Sequence, residues 1–231
     1  MKNYWHLVLL FAAASGVAVA GQPIYTNNFD ALPVGGEPEG FLIIDGQFAV
    51  REFEGGKVFE LPGSPLETFG FLFGPNAAFN ESGTRFRMGP KPEEAPDVSG
   101  MVVSARVLGS NQGRRFPAMS LGLCGVSGFK LKVSPMKKAI ELLRGDEVVA
   151  SQGYDWASGK WTRLKLQVRI AAGKWVAEGK AWQDGQAEPA EWQLNHSTSE
   201  KPNPGKASGW AAPFSGEPIR FDDLKLEVVQ P

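Results

Sequence analysis

Apolar and polar residues alternate along most of this chain. In "TRLKLQVRI", Leu164, Leu166, Val168 and Ile170 fall on one face, and Arg163, Lys165, Gln167 and Arg169 on the other. That is the period-two signature of a strand buried on one side. "FKLKV" repeats it, with Phe129, Leu131 and Val133 set against Lys130 and Lys132. "GMVVSARVLG", "FPAMSLGLCG" and the closing "LKLEVV" follow the same rhythm. Turn signals separate them: Asp45-Gly46, Arg144 to Glu147, Ala171 to Lys174, and Asp184-Gly185. Each predicts a hairpin connection.

Helical patterning is sparse. "PMKKAIELLR", Pro135 to Arg144, could open a helix of one or two turns. The preferred reading is a short turn and then a strand from Ala139 to Arg144, paired across Gly145-Asp146 with Glu147 to Gln152. Gly89 to Ser99, with three prolines and three acids, and Asn195 to Lys206 read as long loops. There is no repeat at a fixed period. Many short strands with Gly/Pro turns predict an all-β fold, a two-sheet antiparallel β-sandwich, in one domain from residue 21 to 231.

The first twenty residues change the cellular picture. Lys2 precedes an apolar stretch, and Ala18-Val19-Ala20 is a small-x-small cleavage pattern. This reads as a signal peptide, cut before Gly21, that exports the chain to the periplasm or outside the cell. The apolar run is about 14 residues, against roughly 20 needed to span a bilayer, so no membrane insertion is expected after cleavage. Charge is balanced, with 24 Lys and Arg, 25 Asp and Glu and a net of -1. This gives no reason to expect nucleic acid as a partner. The single cysteine, Cys124, lies within alternating apolar residues and reads as a buried, inert thiol.

The C-terminal third carries a family resemblance. "W-x-x-L-K-L" at Trp161 to Leu166 is followed by "K-x-W-x-x-G-x-x-E-P-x-x-W" at Lys180 to Trp192. "G-x-A-S" comes next at Gly205 to Ser208, then the chain-closing "F-D-D-L-K-L" at Phe221 to Leu226. Together they resemble the concanavalin A-like lectin/glucanase jelly roll, nearest to the laminin G-like and family 16 glycoside hydrolase-like exported domains of bacteria. "NNFDALPVG", Asn27 to Gly35, is similar to the opening strand of such domains. The resemblance implies two stacked antiparallel sheets, with the first and last strands side by side. It also implies a structural calcium held by Asp222 of the last strand, with Asp30 near the opening strand or nearby backbone carbonyls as partners. Trp182 and Trp192 are then expected to pack across the Asp184-Gly185 hairpin, with the return strand starting at Glu188-Pro189, and into the sandwich.

Chemistry is harder to find. A retaining glycosidase needs two carboxylates about 5 Å apart, which on a strand means acids two residues apart on one face. The Glu-x-Asp-x-Glu pattern of family 16 enzymes does not occur. Glu52 and Glu54 in "REFEG" are the nearest substitute, with Glu60 on the next strand. Beyond residue 20 the one histidine is His196, in a polar stretch, so histidine-cluster metal hydrolysis is excluded by count. No catalytic residue and no required cofactor is assigned. The expected function is an exported, non-catalytic binding module for carbohydrate or a cell-surface partner. The alternative is a glycoside hydrolase-like or lyase-like enzyme acting on polysaccharide. The candidate ligand-binding residues are Tyr154 and Trp156 in "GYDWASGKW", Trp210 in "GWAAPFSG", and Arg85, Arg87 and Arg106.

Overall fold

The chain folds into two antiparallel sheets packed face to face. The computed structural model describes residues 23–80, 83–87, 97–98 and 100–229, with side chains described outside 77–99. Residues 1–20, where a signal peptide is expected, and most of the acidic stretch at 89–99 lie outside the described residues. The first sheet runs in the order β15 (Leu194–Thr198), β14 (Lys174–Gln183), β13 (Thr162–Ala171), β8 (Gly100–Leu108), β17 (Ile219–Val229), β4 (Gly56–Leu61) and β3 (Ala49–Phe53). β1 (Pro23–Asn27) also pairs with β17. The second runs β12 (Glu147–Gly153), β11 (Ala139–Arg144), β10 (Phe129–Ser134), β9 (Ala118–Leu123), β16 (Gly205–Ala212), β5 (Phe69–Asn80), β6 (Gly83–Arg87) and β7 (Asp97–Val98), with β2 (Leu42–Asp45) also on β5.

Alternation decides which side chains meet between the sheets. Leu164, Leu166 and Val168 of β13 are fully buried, as are Leu131 and Val133 of β10. Their Lys and Arg neighbours face outward. At one end the core is aromatic: Phe59 lies 5.0 Å from Phe71, and Phe71 lies 5.2 Å from Phe221, both edge-on. Edge-on pairs add about 0.5–1.5 kcal/mol each beyond area burial. Phe59 and Phe221 belong to the first sheet and Phe71 to the second, so these contacts fasten the layers together. Cys124 is buried, and burial raises its thiol pKa, which leaves it inert.

The opening and closing strands do lie side by side, Asn27 opposite Leu224. Residues 135–144 form a single 3-10 turn, Pro135–Lys137, and then β11, which pairs with β12 across Gly145-Asp146. Ala172-Gly173 makes a two-residue hairpin with both φ angles positive. Three expectations need correction. Asp45-Gly46 joins strands of different sheets and is not a hairpin. The return after Asp184-Gly185 enters the sheet only at Leu194, because residues 184–193 fold as a loop. Both expected long loops contain strand: β7 lies within the first, and β15, which carries His196, within the second.

Candidate functional site

The outward face of the second sheet carries a groove of about 200 Å³ centred on Trp210. Strand register builds it. Gly70, Trp210, Ser120, Lys132 and Glu141 stand directly opposite one another on β5, β16, β9, β10 and β11. Gly70 matters because it has no side chain. A Cβ there would come within 2.5 Å of the Trp210 ring, so the indole occupies space that any other residue would fill. Trp210 Nε1 donates to the buried Ser208 Oγ at 3.0 Å, which sets the ring's orientation. The Lys130 ammonium lies 5.1 Å from the ring centroid, within cation–π range. Thr68, Ser120, Lys132 and the exposed Phe214 complete the lining, with Asp146 at one side. Asp146 is the one carboxylate among the described lining residues.

An ion-pair network occupies the outward face of the first sheet. Arg106 and Arg163 are directly opposite on β8 and β13, and like charges in that position repel. A bulge in β17 supplies the answer. Pairing with β8 slips between Asp222 and Lys225, and Asp223 adopts φ 51°. Phe221 and Leu224 thus both reach the core, and both aspartates reach the arginines. Arg106 Nη2 meets Asp222 Oδ2 at 2.5 Å. Arg163 meets Asp184 at 2.5 Å and Asp223 at 3.0 Å. Arg106 also lies over Trp161 at 4.6 Å. Burial opposes the charge on Arg106, but the surrounding aspartates outweigh it and raise the guanidinium pKa. Burial raises the Asp222 carboxyl, with Arg106 pulling the other way. Every member has a partner, so the network ties β8, β13 and β17 together.

Asp30 and Asp222, the expected calcium ligands, share their surroundings with two cations. Asp30 and Asp222 line one polar cavity of about 200 Å³, but Lys57 and Arg106 line it too. Asp222 already accepts from Arg106 and from the Asp223 backbone N–H. Asp30 accepts from the Lys57 N–H and from Asn28. Calcium takes six to eight oxygens, and no group of three or more His, Cys, Asp or Glu among the described residues is placed to hold a metal.

The other candidates do not gather at Trp210. Arg106 lies on the opposite sheet from Arg85 and Arg87, which occupy β6 with side chains outside the described set. The three arginines are therefore not one surface. Tyr154 and Trp156 pack against the inter-sheet core, burial raises the tyrosine pKa, and the Trp156 Nε1 is buried without a partner. Trp182 is buried but faces outward, out of step with core residues Ala181 and Leu164. Trp192 covers the buried Lys180, 4.7 Å from its ring. Neither tryptophan enters the sandwich. Glu54 sits in the β3–β4 turn with φ 50°, and Glu60 pairs with Arg220 at 2.7 Å. A recess of about 670 Å³ beside β1 and β17 has no aromatic among its lining residues. Sequence reasoning missed Gly70, Lys130 and Lys132 as site residues, although "FKLKV" had already placed both lysines on one face.

This is the concanavalin A-like jelly roll, a two-sheet β-sandwich. Lectin II from Ulex europaeus is similar over 90% of this chain and 99% of its own, at 11% identity and a TM-score of 0.53. The CBM2 module of Lactobacillus casei BL23 phage J-1 evolved Dit is similar over 92% and 98%, at 9% identity and 0.52. The Lotus tetragonolobus seed lectin is similar over 85% and 96%, at 11% identity and 0.51. At these identities the likeness is one of fold. No protein-family model and no curated protein sequence matches the chain. No helix among the described residues is long and apolar enough to cross a membrane.

Proposed function

We propose that this chain is an exported, non-catalytic carbohydrate-binding module, with a sugar ring stacked on Trp210. The observation that carries this reading is the indole laid over Gly70 at the floor of an open groove. A pyranose has one face of C–H groups and a rim of hydroxyls. An aromatic face takes the first, and Ser120, Thr68, Lys130 and Asp146 offer partners for the second. A single carboxylate among the described lining residues supports binding over glycosidic hydrolysis, which requires a pair. Lectins and a CBM2 module among the similar structures are consistent with this use of the fold. The apolar leader and its Ala-x-Ala step support export.

The test is affinity electrophoresis and calorimetry against a panel of soluble polysaccharides, with reducing ends measured in parallel. Retention by at least one polymer, lost in a Trp210→Ala variant that is still folded at the assay temperature, and no release of reducing ends are expected. Retention that survives Trp210→Ala would remove the site. Steady release of reducing ends would replace the reading with an enzyme.

A further inference from the structure

We infer that the glycan held at Trp210 is acidic, carrying uronate carboxylates or sulfate esters; this rests on the groove being the sugar site. Two half-buried lysines, Lys130 and Lys132, line the groove, against one acid, Asp146. Lys130 meets Asp146 only at 3.4 Å, and that aspartate is fully exposed. Lys132 has no hydrogen bond or ion pair among the described residues. Its direct cross-strand neighbour is Glu141, whose Oε1 pairs with Lys137 at 2.7 Å and whose Oε2 is buried without a hydrogen-bond partner, so the two groups stand side by side without meeting. An ammonium on a half-buried sheet face with no hydrogen-bond or ion-pair partner can take an anion from outside.

The spacing suits a polymer. Lys130 and Lys132 both rise from β10, two strands and about 10 Å from the Trp210 backbone at the usual strand separation; Lys130 reaches back to the ring, and Lys132 has no such contact. The backbone step between Trp210 and Lys132 is taken by Ser120, a small hydroxyl that leaves the floor open. A sugar stacked on Trp210 thus places its neighbour along the chain over Lys132. A neutral glycan would leave that ammonium half desolvated and unpaired, and an acidic one would neutralise it. The positive groove also contrasts with a chain whose net charge is -1.

Calorimetry of the whole protein against polygalacturonate, dextran sulfate and neutral dextran tests the inference, with a panel of other neutral polymers beside them. Tighter binding to one acidic polymer, weakened by salt, is expected. In Lys132→Gln that affinity should fall about tenfold or more, while the exposed control Lys174→Gln leaves it unchanged and Trp210→Ala abolishes it. Polygalacturonate and dextran sulfate separate carboxylate from sulfate recognition. Equal losses in the Lys132 and Lys174 variants would mean non-specific charge attraction and overturn the inference. Binding confined to neutral polymers, insensitive to Lys132→Gln but lost in Trp210→Ala, would overturn it and leave the sugar site standing. Failure of every polymer to bind a folded protein would overturn both.

Discussion

Trp210 and Gly70 are cross-strand partners in which the indole fills the space a side chain would claim. The glycine is unfavourable for a strand by roughly 0.5–1 kcal/mol relative to alanine, so the arrangement has a cost that the flat ring must offset. A methyl group at position 70 would stand 2.5 Å from Trp210 Cε3, and a rigid indole cannot bend away. Gly70→Ala is expected to destabilise by about 1–3 kcal/mol through overpacking, and to weaken glycan binding by tilting the ring. Urea titration of G70A, W210A and the double variant measures this. In the W210A background the alanine should cost nothing or stabilise. A destabilisation that persists there would place the strain elsewhere.

Arg106 and Asp222 are expected to depend on each other more than surface ion pairs do. The Asp222 side chain is only 6% exposed, and removing its counter-charge strands a buried carboxylate. Arg106→Met should cost about 2–4 kcal/mol, and Arg106→Met with Asp222→Asn together should cost less than the sum of the two. The same geometry predicts that neither calcium nor a chelator shifts the melting temperature. A rise on adding calcium would show that the metal, and not the guanidinium, balances these acids.

What could be read from the residues follows from what a period-two pattern encodes. Alternation states which side chains face inward, so β13 and β10 and their buried leucines were legible, as was the short turn before β11. It does not state which sheet a strand joins. That is why Arg106 was grouped with Arg85 and Arg87, and why Asp45-Gly46 looked like a hairpin. Nor does it reveal a bulge: "FDDL" reads as one step too many, and only the slip in register shows that both aspartates face Arg106 and Arg163. Trp210 was legible as an aromatic candidate, but its value depends on Gly70, some 140 positions earlier in sequence. Tyr154 and Trp156 could be read either as ligand-binding aromatics or as anchors of their loop, and they pack against the core.

Ala172 occupies the left-handed region, φ 49°, in the hairpin between β13 and β14. A residue with a Cβ loses roughly 1–2 kcal/mol in that conformation. Two-residue hairpins with both φ positive favour Asn-Gly, and Gly173 is already in place. Ala172→Gly and Ala172→Asn are each expected to stabilise by about 0.5–1 kcal/mol, with binding unchanged, as judged by denaturant midpoint. A loss of stability would mean that the turn relaxes to another form.

Glu188 gives the fold a pH-dependent clasp. It bridges Lys180 at 2.7 Å and Lys165 at 2.9 Å, holding the loop of residues 184–193 against the first sheet. Burial alone would raise its carboxyl, but the two ammonium groups outweigh burial and hold it below the ordinary 4.5. A carboxyl with a lowered folded value stabilises the protein above its unfolded value, and that contribution disappears as pH falls through the folded one. Melting curves of the wild type and Glu188→Gln should therefore differ above pH 4.5 and converge below it. The gap at neutral pH should be small, about 1 kcal/mol or less, because the glutamate is 40% exposed and screened by water. A gap that persists undiminished at acid pH would assign the effect to side-chain packing in the loop, not to charge.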